Sequence, residues 1–123
     1  MIHRMKLDPV PFEMIGCGRK TYELMFYDDK RQKIKAGDKI IFTCTSDENR
    51  TLEVSVTGLH RFRNFAELYS CLPLLSCGYT ENDVSSASPE DMEKYYSPEM
   101  QKKYGVVGIE ISLDGERKDH AVI

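Results

Sequence analysis

Two neighbouring segments constrain the fold of this chain more than any other part of it. Lys39-Ile40-Ile41-Phe42-Thr43-Cys44-Thr45 is dense in β-branched and aromatic residues, and Thr51-Leu52-Glu53-Val54-Ser55-Val56-Thr57-Gly58-Leu59 alternates apolar with polar. A period of two sets Leu52, Val54 and Val56 on one face of a strand and Glu53, Ser55 and Thr57 on the other. With Ser46–Arg50 read as a polar loop between them, the two segments predict a β-hairpin with one buried face.

Further strands flank this hairpin. Val106–Leu113 is apolar at 107, 109, 111 and 113, and Tyr22–Tyr27 also has a period close to two. In the latter, Tyr22, Leu24 and Phe26 point one way, and Thr21, Glu23, Met25 and Tyr27 the other. Met5-Lys6-Leu7 is a short extended lead. The prolines at 9 and 11 delay helix until Pro11, after which Phe12 and Ile15 face the core and Gly18 supplies a left-handed stop. Asn64 is a good N-cap for a helix over Phe65–Cys71, ended by Pro73. Ser88-Pro89-Glu90 and Ser97-Pro98-Glu99 open two further short helices with proline in the first turn. Lys33–Asp38 and Ser76–Thr80 read as turn and loop. Strands with peripheral helices predict an α+β fold, a small barrel with short helices around it.

Composition narrows the function classes. The 123 residues are 41% hydrophobic and 30% charged, with a net charge of −3. That suits one ordinary globular domain. It also removes any global basic field, so nucleic-acid binding has to come from a local patch. No apolar run is long enough to span a bilayer, and Met1–Lys6 lacks the apolar centre of a secretory signal, which predicts a cytoplasmic protein. Cys17, Cys44, Cys71 and Cys77 are spaced by 27, 27 and 6 residues and contain no CxxC pair. With three scattered histidines they predict no metal site, no disulfide, and buried or half-buried thiols.

The chemistry-bearing residues concentrate between Gly18 and Arg31, which hold four cations, three carboxylates and three aromatic rings. Gly18-Arg19-Lys20-Thr21 is a turn whose cations either meet a phosphate or carboxylate or stay solvated. It lacks the GxxxxGK[ST] spacing of a P-loop. Glu23 shares a strand face with Thr21 and lies close to Lys20. The pair is either a partly buried recognition element, able to act as acid and base, or an exposed ion pair of small worth. Lys30, Arg31, Lys33 and Lys35 form either a basic rim or a solvated loop beside Asp28 and Asp29. His60-Arg61-Phe62-Arg63 interleaves cations with a ring, a pattern suited to single-stranded nucleic acid, with Phe62 as core and the arginines as rim the plainer alternative. Tyr79, in a glycine loop, is a pocket-wall candidate. No Ser-His-Asp or Cys-His order stands out.

Taken in order, Pro11–Ile15, Gly18–Leu24, Tyr27–Arg31 and Ile34–Asp38 resemble the ASCH domain. Leu59–Phe62, Cys77-Gly78-Tyr79 and Tyr104–Ile109 are similar to its bacterial single-domain branch. The likeness runs from about Met5 to Leu113 and divides the chain into a domain over 1–113 and a charged tail over 114–123. It implies a PUA-like β-barrel whose cleft is lined by the GxKxxE segment, here Gly18–Glu23, and a partner that is RNA or a nucleotide-like small molecule. Some small members of the family deacylate N4-acetylcytidine with a lysine, a threonine and a glutamate. The lysine carries over to Lys20, the threonine position holds Glu23, and the catalytic glutamate is not assigned to a residue. An arginine common two residues later is Met25 here.

The resulting expectation is a binding module for RNA or a nucleotide-like ligand, needing no cofactor and no metal. Its site residues are Gly18, Arg19, Lys20, Thr21, Tyr22, Glu23, Tyr27, Lys30, Arg31, Arg61 and Tyr79. Two alternatives stand beside it. One is an amidohydrolase acting on a modified nucleoside with Lys20 and Glu23 as its reactive groups; the other is a protein-interaction domain with a vestigial cleft. Replacing Lys20 by alanine is expected to remove binding and leave the melting temperature nearly unchanged.

Overall fold

A computed structural model of the chain describes residues 1–114. Five strands form one curled, mixed sheet in the order β1-β3-β4-β5-β2, a half-barrel with three short α-helices around it. The strands are β1 (Ile2–Leu7), β2 (Tyr22–Phe26), β3 (Lys39–Cys44), β4 (Asp47–Phe62) and β5 (Val106–Leu113). The helices are α1 (Pro9–Gly16), α2 (Phe65–Cys71) and α3 (Pro98–Tyr104). The expected hairpin is β3–β4, antiparallel with Phe42 opposite Leu52 and Ile40 opposite Val54. β1 pairs with β3 in parallel, and every other pairing is antiparallel.

Four elements differ from the sequence expectation. The lead at Met5–Leu7 is the end of a full strand, because parallel pairing with Lys39–Cys44 satisfies its backbone from Ile2 onward. α1 begins at Pro9 rather than Pro11. Both prolines fall in the first turn, where the backbone N–H has no helical partner to lose. The polar stretch 46–50 is mostly strand: β4 starts at Asp47 after a tight turn, so polarity there marks an exposed hairpin tip and not a loop. α2 and its cap hold as read, with Asn64 accepting from the Glu67 amide at 2.9 Å. Of the two Ser-Pro starts, the second opens α3 and the first only a 3-10 turn over Pro89–Met92.

The sheet buries both faces. One face packs Met5, Phe12, Ile15, Met25, Ile40, Phe42, Val54, Val56, Val107, Ile109 and Ile111 into the main core, capped by α1. The other carries Leu24 and Val106 under Phe65 and Leu68 of α2. The alternation of β2 therefore holds: Leu24 goes to the α2 side and Met25 to the main core. A bulge between Val56 and Gly58 shifts β4 by one residue. Beyond it the odd residues face the main core, so Leu59 and Arg61 project there while His60 and Phe62 turn to the α2 side.

All four cysteines are free thiols, Cys44 and Cys77 buried but Cys17 and Cys71 exposed, against the expectation of buried or half-buried thiols for all four. Both exposed ones end short helices whose buried faces are already filled by Phe12 and Ile15, or by Phe65 and Leu68. Asp114 accepts from Lys39 and Ser55, each at 2.7 Å. The rest of the tail read over 114–123 lies outside the described residues. No helix among the described residues is long and apolar enough to cross a membrane.

The start of β1 is tied to Asp38, whose carboxylate accepts from His3 Nε2 at 2.8 Å and from the Lys35 amide at 3.0 Å. These donors, with the terminal amine, pull the Asp38 pKa from 3.8 down to about 2. A carboxylate depressed in the folded state adds stability that is complete above its unfolded pKa and disappears as pH falls through the folded value. Melting temperature is therefore expected to fall between about pH 4 and pH 2, with a shallower fall in that window for Asp38→Asn. Equal acid slopes in thermal melts of the two proteins would refute this.

Candidate binding cleft at the barrel seam

The two edge strands, β1 and β2, do not pair with each other, and the half-barrel stays open between them. A cavity of about 490 Å³ occupies this seam, lined by Lys6 and Leu7 from β1 and by Glu23 and Leu24 from β2. The start of α1, the Cys77-Gly78-Tyr79 loop, Tyr69 of α2 and residues 91–96 complete the wall. Sheet topology thus creates the concavity, and local chemistry furnishes it.

Lys20 Nζ lies 3.2 Å from Glu23 Oε1, and the two side chains are only 10% and 8% exposed. Glu23 Oε2 is buried and has no hydrogen-bond partner among the described residues. An orphaned buried carboxylate oxygen is costly, so the cleft carries an unfilled acceptor beside a cation. Gly78 beside the lysine is called for by its backbone, at φ +114°; a Cβ there would only be in ordinary contact with Lys20 Nζ, at 3.6 Å. This geometry changes the expectation for Lys20. Its removal would leave Glu23 buried without a counter-charge, so stability as well as binding depends on it.

The remaining polar groups of the wall form a chain. Tyr79 Oη donates to Asp91 Oδ2 at 2.6 Å, and Tyr69 Oη lies 2.8 Å from Tyr79 Oη. With the Tyr79 proton committed to Asp91, Tyr69 donates to Tyr79. Burial and the bond to Asp91 push the Tyr79 hydroxyl pKa upward, and the Tyr79 hydroxyl holds the Asp91 carboxyl below its usual range. Burial also pushes the Cys77 thiol up to about 11, a value at which it is an inert wall group. Tyr96 donates from its hydroxyl to the Leu24 carbonyl at 3.4 Å, engaging the exposed edge of β2.

Of the sequence candidates, the cleft gathers Lys20, Glu23 and Tyr79. Gly18 makes the left-handed turn as expected, at φ +82°, and Arg19 is exposed outside the cavity. Thr21 anchors the backbone, donating its amide to the Ser76 carbonyl at 2.9 Å. Tyr22 turns to the α2 side, its ring 5.5 Å from that of His60. Lys30 donates to the Arg4 carbonyl, and Arg31 pairs with Asp28 at 3.0 Å. Arg31 Nε also contacts the Met25 sulfur at 3.3 Å, so a guanidinium reaches position 25 from outside the strand without entering the cleft. Tyr27 and Arg61 stack on each other, 4.2 Å from guanidinium carbon to ring centre, and line a separate cavity. Asp91, Tyr69 and Tyr96 escaped the sequence reading. Asp91 follows the Ser88-Pro89 start and closes a capping box on Ser88, a local role that hides its place in the cleft.

Among the described residues no cluster of three or more His, Cys, Asp or Glu is placed to hold a metal. The cleft is a neutral donor–acceptor pair in a tyrosine-rich pocket, suited to a polar, uncharged ligand edge.

Comparison with known proteins places this geometry in a family. No curated protein matches the chain. Among solved structures, the hypothetical protein PH0355 is 32% identical with a TM-score of 0.76, covering 92% of this chain and 99% of its own. Protein PF0455 from Pyrococcus furiosus is 28% identical with a TM-score of 0.68, over 94% of this chain and 99% of its own. ASCH from Zymomonas mobilis shares the fold at a TM-score of 0.62 and 12% identity, over 90% of this chain and 66% of its own. The model of the ASCH domain matches residues 5–114. A half-barrel with PUA-like topology and a match over nearly all its length mean that this chain belongs to the ASCH domain family.

Proposed function

We propose that this protein is a non-enzymatic module that binds RNA or a nucleotide-like ligand by holding a base edge against Lys20 and Glu23. The observation that carries this reading is the buried Glu23 Oε2 with no partner, 8% exposed as a side chain and set beside a lysine. A nucleobase edge presents a donor next to an acceptor, and single-stranded RNA exposes such edges for reading in pockets. The N–H would donate to Glu23 Oε2, and the neighbouring carbonyl or ring nitrogen would accept from Lys20. Because the pair is neutral overall, a phosphate is a poor match at this point of the cleft. Membership of the ASCH family and a cavity of about 490 Å³, large enough for a single base, support the same reading.

The position three residues after Lys20 carries Glu23 and no hydroxyl nucleophile, which supports binding over deacylation. The test is a titration of purified protein with free nucleosides, N4-acetylcytidine included, and with short single-stranded RNA, following product release in the same samples. Saturable binding without turnover, weakened roughly a hundredfold in Glu23→Gln, is the expected result. Turnover of any nucleoside would replace this reading with an amidohydrolase. Absence of both would leave a protein-interaction domain.

A further inference from the structure

A second, larger cavity of about 850 Å³ opens at the other end of β2. The cations lining it are Arg61, Arg63 and Lys102, against one carboxylate, Glu93. Arg63 is already spent on Glu67, with Nε donating to Oε2 at 2.8 Å. Arg61 and Lys102 are exposed and have no carboxylate within ion-pair distance among the described residues. The β4 bulge turns Arg61 onto the Tyr27 ring at 4.2 Å, which holds the planar guanidinium in place with its N–H groups available. A stacked, unpaired arginine beside an unpaired lysine is an anion-binding arrangement.

The two cavities are neighbours through shared walls. Residues 91–96 supply one side of the first, while Pro89 and Glu93 of the same segment line the second. β2 and the residue that follows it run from one to the other, Glu23 in the first and Tyr27 in the second, about 13 Å apart at the rise of an extended chain. We infer that this second cavity takes the sugar-phosphate backbone of the strand whose base occupies the cleft, with Arg61 and Lys102 each meeting a phosphate. This inference rests on the proposed base-binding role of Lys20 and Glu23. It explains how a chain of net charge −3 would hold RNA: the field is local, two unpaired cations on one rim.

The experiment compares a free nucleoside with single-stranded RNA of about eight nucleotides, a typical span for a small binding domain. Affinities are measured across a salt series for the wild type, the double variant Arg61→Ala/Lys102→Ala, and Glu93→Gln. In the double variant, nucleoside affinity should stay unchanged and RNA affinity should fall roughly tenfold. The slope of log affinity against log salt should flatten by about 1.4, near 0.7 for each lost phosphate contact. Glu93→Gln, which removes the opposing charge, should tighten RNA and leave the nucleoside alone. Unchanged RNA affinity and slope in both variants would overturn the inference, as would RNA that binds no tighter than the nucleoside. Displacement of RNA by an acidic peptide at equal concentration would also overturn it, in favour of a protein partner. RNA binding that survives Glu23→Gln but falls in the double variant would sink the base-pocket reading and keep the phosphate rim. Loss of every interaction in the wild type would sink both.

Discussion

Lys20→Ala is expected to lose about 3–5 kcal/mol of folding stability, the usual result of leaving a buried carboxylate without its counter-charge. Glu23→Gln should cost less. The amide oxygen keeps a contact with Lys20, while the nitrogen replaces the orphaned Oε2 by a donor. The Lys20 ammonium, only 10% exposed, loses its counter-charge, so a loss of about 1–3 kcal/mol is expected, smaller than for Lys20→Ala because the hydrogen bond survives. Binding should weaken roughly a hundredfold, because a donor then faces the ligand's own donor. The pair of variants thus weighs architecture against recognition at one site. Chemical denaturation of both proteins, alongside ligand titration of Glu23→Gln, is the measurement. A Glu23→Gln protein that binds as well as the wild type would show that Oε2 has no part in recognition.

The second large effect is expected at Gln101, 7% exposed and the link between α3, α2 and the wall of both cavities. Its Oε1 accepts from the Phe65 amide and its Nε2 donates to the Tyr96 carbonyl, both at 3.0 Å. Gln101→Leu keeps the volume and orphans both backbone groups, at about 1–3 kcal/mol for each that stays buried. A total near 3 kcal/mol is expected in urea denaturation, with the slope of the transition unchanged. Because Tyr96 spans the edge of β2, ligand affinity should fall as well. A loss below about 1 kcal/mol would mean that water replaces the amide at both ends.

Much of the local structure was legible because its signals are local. The Asn64 cap, the Pro98 start and the alternation of β2 and β5 depend on a few adjacent residues, and the structure repeats them. The errors have one origin. Met5–Leu7 looked like a lead because parallel pairing with a strand over thirty residues away leaves no local trace. Ser46–Arg50 looked like a loop because an exposed hairpin tip and a loop share a polar composition. Arg61 reads in sequence as a rim cation beside Phe62, and nothing there points to Tyr27 as the ring it stacks on. Adjacent strand residues face opposite sides, and the bulge at Val56–Gly58 decides which: Phe62 turns to the α2 side and Arg61 meets Tyr27.

For the site the division is sharper. By itself the sequence determined the residue types at the turn, Lys20 and Glu23 at a spacing a strand end can bring together, and the family likeness that made them candidates. Only the tertiary structure decided that the pair is buried, that one carboxylate oxygen is left without a partner, and that Tyr69, Tyr79 and Asp91 close around it. Burial and orphaned hydrogen-bonding groups arise from the approach of segments distant in the chain. Here β1, β2, the Gly78 loop and residues 91–96 meet at the seam where the sheet fails to close. Spacing along a chain can nominate a charge, but desolvation depends on what packs over it, and that is set by the fold.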